Sequence, residues 1–207
     1  MSILKPERSY TFSDYFEMNY PPEDILAELG YRYRLTKLDL PRGTVKHSLD
    51  NLRNMFYRKL PHISLNSETA KREVMIAPIL LELLDEIDVK IDIEYPIYVS
   101  EHLKGNLDYW IRSLQNFLIV EAKKSDMEKG FTQLAAELIA MDQYLPSDDP
   151  DLFGAITVGD VWRFGKLERA AKCISRDIDS FRVPLDIHEL FQVLIGILSH
   201  HQPSQAN

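Results

Sequence analysis

Cysteine is nearly missing from this chain: Cys173 is the only one in 207 residues. That excludes an internal disulfide and any metal centre built on several thiolates. Cys173 itself reads as a small, half-buried side chain on a helix. Long apolar runs are missing too. No segment approaches the roughly 20 apolar residues a bilayer span requires. The opening MSILKPERSYTF has no apolar stretch of the kind secretory leaders carry. No membrane partner is therefore expected, and the cytoplasm is the expected compartment. There are no internal repeats and no low-complexity segment. Excess positive charge is missing as well. The formal net charge is −8, which by itself argues against a nucleic-acid partner.

What is present points elsewhere. Hydrophobic residues make up 45% and charged residues 27%, as in an ordinary soluble domain. The length suits one sizeable α/β domain rather than two. Charge is unevenly spread. Between Tyr31 and Arg72 stand ten Lys or Arg (among them Arg32, Arg34, Lys37 and Arg72) against three acids, a local +7 that leaves the rest at −15. Such asymmetry predicts either a positive face suited to a phosphate backbone or positive side chains facing acidic neighbours.

Along the chain, residues 1–22 read as an irregular or partly helical, aromatic-rich arm packed on the rest. Pro22 opens a short helix that Gly30 ends. The alternation in YRYRLT predicts a half-exposed strand. SLDNLRNMFYRKL places Leu49, Leu52, Met55, Phe56 and Leu60 at helical spacing. SETAKREVMIAPILLELLDEI predicts a long apolar helix kinked at Pro78. The period then changes to two. VKIDIEYPIYVS, KGNLDYWIRS and NFLIVEAKKS read as three successive strands, the last with the unbroken apolar run of a central strand. MEKGFTQLAAELIAMDQYL predicts an amphipathic helix. PSDDP is a loop, and LFGAITVGDVWRFGKLE predicts a hairpin turning at Gly159. The rest reads as mainly helical, followed by a flexible tail. Trp162 and Phe164 are expected in the core, and His200 and His201 point apart and hold no metal.

The chemistry concentrates on the third strand. Phe117, Ile119, Glu121 and Lys123 share one face, because side chains alternate along a strand. A carboxylate and an ammonium at the end of a buried strand are costly unless paired or given a ligand. If the preceding strand pairs around a turn near residues 112–115, Asp108 comes close to Glu121. Two adjacent carboxylates repel unless they share a proton or a cation. A hard divalent ion with oxygen ligands fits, Mg²⁺ first. The plainer expectations are a Glu121–Lys123 ion pair at a strand end and a surface Asp108.

The order helix, Asp strand, Glu-x-Lys strand, helix resembles the PD-(D/E)XK nuclease superfamily, and its restriction-subunit-type domains in particular, over roughly residues 67–170. The matching positions are Glu73, Asp108 in GNLD, Glu121-Ala122-Lys123 in VEAK, and Gln133. The pattern departs at Glu137, where some relatives carry Tyr four residues after the Gln. The resemblance implies an α/β, restriction endonuclease-like fold with a central mixed β-sheet of about five strands flanked by helices. A mostly helical N-terminal extension, 1–66, would pack on a core of 67–200, with 201–207 a tail. It implies a Mg²⁺-dependent nuclease, Mn²⁺ substituting, that hydrolyses DNA through a metal-activated water. Asp108, Glu121, the Ala122 carbonyl and Glu73 would hold the metal, Lys123 would orient or deprotonate the water, and Gln133 would position Lys123 or a phosphate. DNA would lie along the basic region 31–72, and a homodimer would suit cutting both strands of a duplex. The other expectation is a catalytically inactive module of this fold that binds DNA or a protein.

Overall fold

The computed structural model describes residues 2–113, 116–146 and 151–199. Among these residues eight strands form one mixed sheet, three more than the resemblance implies. In chain order the elements are α1 (Phe12–Glu17), α2 (Pro22–Glu28), β1 (Arg32–Thr36), α3 (Asp50–Lys59), α4 (Glu68–Lys71), a π turn (Arg72–Ile76), α5 (Ala77–Glu86), β2 (Lys90–Ser100), β3 (Leu103–Arg112), β4 (Phe117–Ala122), α6 (Met127–Tyr144), β5 (Leu152–Thr157), β6 (Val161–Glu168), β7 (Cys173–Asp177), β8 (Phe181–Arg182) and α7 (Ile187–Ser199). The strands lie in the order β1-β7-β6-β5-β4-β3-β2, and β8 adds to β6.

Two of the three extra strands come from the segment that reads as helical. β7, CISRD, is buried at every position, yet it has neither an apolar run nor a clean alternation, so periodicity misses it. Cys173 consequently lies buried in a strand rather than half-buried on a helix. The third is β1, which joins the sheet edge parallel to β7. The 1–66 region thus contributes a strand to the sheet as well as helices.

The interruption of the long helix falls just before Pro78. Proline has no N–H to give Val74, four residues back. The chain widens into a π turn there, with the Ala77 N–H reaching the Arg72 carbonyl. Such turns often accompany functional positions.

β4 and β5 run parallel, which requires a crossover connection. α6 supplies it and packs on one face of the sheet. α6 is not amphipathic in place: every residue from Gly130 to Met141 is buried, because the sheet lies beneath it and α1 and α2 lie on it. Phe131, Leu134 and Leu138 pack there with Ile119, Ile156, Leu167 and Ile174. The opposite face is covered by α3, α5 and α7, where Phe56, Ile79 and Phe191 meet Val120, Ala155, Trp162 and Phe164. No helix among the described residues is long and apolar enough to cross a membrane.

An extended strap, residues 38–48, runs from β1 to α3 across α7. Gly43 N–H bonds the Gln192 carbonyl at 2.7 Å. The buried Glu86 carboxylate accepts Lys46 N–H at 2.6 Å and His47 N–H at 2.9 Å. Burial pushes the Glu86 carboxyl up, but these bonds and His47 win and hold it below the ordinary carboxylate range.

Candidate active site

Ligands of open α/β sheets gather beyond the carboxyl ends of parallel strands, next to helix N-termini. Here that place is the end of β4 and the start of α6. β3 and β4 pair from Arg112–Phe117 to Tyr109–Val120, and then the ladder stops. Asp108 stands in the fork: its Oδ2 accepts the Ala122 N–H at 2.8 Å, a donor that would otherwise face the missing ladder. In an extended strand the N–H and C=O of one residue point the same way. The Ala122 carbonyl therefore also faces the Asp108 side.

Glu121 and Lys123 share a face, as their spacing demands. Lys123 Nζ lies 2.6 Å from Glu121 Oε1 and 5.1 Å from the centroid of the Phe16 ring. The aromatic arm thus covers the lysine. Gln133 is buried, and its amide donates to Glu121 Oε1 at 2.6 Å and to Glu137 Oε1 at 2.9 Å. The departure seen in the sequence is therefore part of the site: Glu137 is fully buried and shares Gln133 with Glu121. Periodicity offers no sign of this, since a lone Glu on a helix usually reads as surface.

This cluster is short of positive charge. Among the described residues no donor reaches the buried Glu121 Oε2, Gln133 Oε1 or Glu137 Oε2, and the Glu121 and Glu137 carboxyls lie close enough to share a proton. Burial, and then the Asp108 charge, push the Glu121 carboxyl up despite Lys123. Burial, and then the Glu121 charge, push Glu137 well above the ordinary range. Burial would lower Lys123, but the Glu121 charge outweighs it and the ammonium is retained. A shared proton or a cation satisfies such an arrangement.

Glu73 is exposed on the π turn and makes no hydrogen bond or ion pair with Asp108, Glu121 or Lys123 among the described contacts. Its neighbour Arg72 arrives instead. Arg72 Nη1 lies 3.5 Å from Asp108 Oδ1 and 3.2 Å from Glu94 Oε1, while Nε bonds the Tyr109 hydroxyl at 3.3 Å. Glu68, one turn earlier, is the helix acid whose charge reaches Lys123. Among the described residues no three His, Cys, Asp or Glu side chains gather into a metal-holding group. His200 and His201 lie outside the described residues.

Much of the basic region is neutralised locally. Arg34 pairs with Glu168, Lys37 with Asp179, and Arg72 with Glu94 and Asp108. Fold and site together define an open-sheet α/β protein with a buried carboxylate–lysine cluster at the strand ends. Comparison with family models, curated proteins and solved structures returns no match.

Proposed function

We propose that this protein is a Mg²⁺-dependent nuclease of the PD-(D/E)XK type that hydrolyses DNA phosphodiesters. The observation that carries the reading is the convergence of Asp108, Glu121 and Lys123 where β3 and β4 part. The residues fit one divalent ion. Among the described residues no donor reaches the buried Glu121 Oε2, though the Glu137 carboxyl lies close enough to share a proton with Glu121; Asp108 Oδ1 meets Arg72 at 3.5 Å, and the Ala122 carbonyl faces the same fork. When bound, the ion supplies an acidified water and positive charge against the scissile phosphate. Glu121 and Asp108 hold it. Lys123, next to Glu121 and kept as the ammonium, would orient the attacking water or stabilise the negative charge developing on the phosphate. Gln133 fixes the Glu121 rotamer.

One observation favours the inactive binding module: Arg72 already supplies Asp108 with a cation. Two variants separate the readings. Lys123→Ala is expected to abolish cleavage of plasmid DNA while titration calorimetry still detects Mn²⁺. Asp108→Asn keeps an acceptor for Ala122 N–H, so it is expected to fold and to lose Mn²⁺ binding. No Mn²⁺ heat in the wild type would reject the nuclease. In a metalloenzyme, Arg72→Ala removes the competing cation and is expected to tighten Mn²⁺ by about tenfold. In a module it changes nothing in the calorimeter.

A further inference from the structure

Two strands away from Glu121, on the same face of the sheet, lies a second charged group. Glu121 pairs with Ile156, and Ile156 with Arg163. Strands lie about 4.8 Å apart, so Arg163 starts roughly 10 Å from Glu121. Arg176, on β7, is its neighbour. Both guanidiniums share one carboxylate, Glu128 in the first turn of α6. Arg163 Nη1 is 3.5 Å from Glu128 Oε1, and Arg176 Nη1 contacts Glu128 Oε2.

The exposures are unequal. The Arg176 side chain is 8% exposed and that of Arg163 22%, whereas Glu128 is 62% exposed. Among the described residues neither Nε atom, both of them buried, has a hydrogen-bond partner. The Arg176 guanidinium also lies 5.6 Å from the centroid of the Phe131 ring, within cation–π reach. Two cations, one buried and one half-buried, are thus held by one solvated anion, so the three side chains sum to +1 and leave unfilled donors. A buried ion pair kept only for stability would bury both partners and fill their donors. This one keeps a removable anion beside the N-terminus of an 18-residue helix, where oxyanions are favoured.

We propose that Arg163 and Arg176 form a binding site for a nucleic-acid backbone phosphate, with Glu128 as the placeholder that the phosphate displaces. The ligand's identity rests on the nuclease reading above. Phosphates on one strand follow each other at about 3.4 Å along the axis. A strand whose scissile phosphate lies at Glu121 and Lys123 would reach the arginines within a few nucleotides. The planar fork of Arg suits two phosphate oxygens better than Lys would.

The test is fluorescence anisotropy of a labelled short single-stranded oligonucleotide in excess chelator, with cleavage assayed separately in Mg²⁺. Glu128→Gln removes the competitor and is expected to lower Kd about fivefold. Arg163→Ala is expected to raise it about tenfold. Arg176 is buried and is left intact, so both variants are expected to fold. Unchanged or weaker binding by Glu128→Gln overturns the proposal, as does a wild type that does not bind. Titrated alone, inorganic phosphate separates the sources. Saturation by phosphate with no response to the oligonucleotide overturns a backbone site. The predicted changes in Kd without cleavage would remove the nuclease reading and leave the phosphate site standing. Cleavage with unaltered Kd in both variants would do the reverse.

Discussion

Glu121→Gln is expected to abolish metal-dependent cleavage and to flatten the pH dependence of stability. The first effect follows from the loss of a carboxylate that would hold the ion. Removing one member of such a set costs orders of magnitude in rate, because the remaining residues act through it. The second follows from linkage. Burial and the Asp108 charge raise the folded-state Glu121 carboxyl to about 8, above its ordinary value. Between the two values the folded chain holds a proton that the unfolded chain has released. Metal-free stability is therefore greatest in mild acid and falls as pH rises through the window, the drop due to this group being complete above about 8. Glu137, raised for the same reason and by Glu121 itself, adds to the slope. The expected loss between about pH 5 and pH 9 is a few kcal/mol in the wild type. In Glu121→Gln the slope is shallower, since only Glu137 remains. Urea denaturation at a series of pH values reads this directly. Excess Mn²⁺ should restore alkaline stability to the wild type alone. Parallel pH curves for the two proteins would mean that Glu121 is ordinarily ionised and paired, and the cluster has no need of a cation.

Gly196→Ala is expected to be the most damaging small substitution outside the site. Helix propensity alone favours Ala by about 1 kcal/mol. Here the strap overrides that preference. A Cβ at Gly196 would lie 2.2 Å from the Pro41 carbonyl oxygen and 2.6 Å from Arg42 N. These are backbone atoms, and the strap cannot simply move. It is bonded to α7 through Gly43 N–H and to the buried Glu86 through Lys46 and His47. Overpacking against fixed backbone costs about 3 kcal/mol or more, which in a chain of this size lowers Tm by roughly 10 °C. Thermal unfolding by circular dichroism measures it. A neutral or stabilising Gly196→Ala would mean that the strap does not lie against α7.

The legible parts of the fold were those with a regular period. β2, β3, β4, α6, β5 and β6 stand where alternation and helical spacing put them. Asp108, Glu121 and Lys123 come together because strand alternation and one antiparallel turn dictate it, whereas Gln133, on α6, is pointed to by the resemblance alone. β7 was hidden because Ser175, Arg176 and Asp177 are buried polar residues, each answered by partners far away in sequence. Pairing of β1 with β7 is likewise a property of the whole chain and leaves no local mark. At the site, the resemblance points to Glu73 as the helix acid, yet the π turn rotates the helix so that Arg72 meets Asp108. A one-residue bulge of this kind cannot be read from spacing. Glu137 stands out in the sequence only as a departure, because its burial depends on α1 and α2 covering α6, which no pattern within α6 reveals.

The parallel pairing of β1 with β7 has a further consequence for how the chain is made. Arg34 on β1 meets Ser175 on β7 across 141 residues. Emerging from a ribosome, β1 has no sheet edge to join until most of the chain has followed it. Contacts of such separation form late and slow folding. Throughout that interval the β5–β6 hairpin and α6 can assemble, but the sheet lacks its last edge and the basic N-terminal segment stays exposed. Newly synthesised chains should therefore remain protease-sensitive near Arg32 and Arg34 long after β2 to β6 are protected, and a pulse of trypsin on nascent chains of increasing length would time the closure.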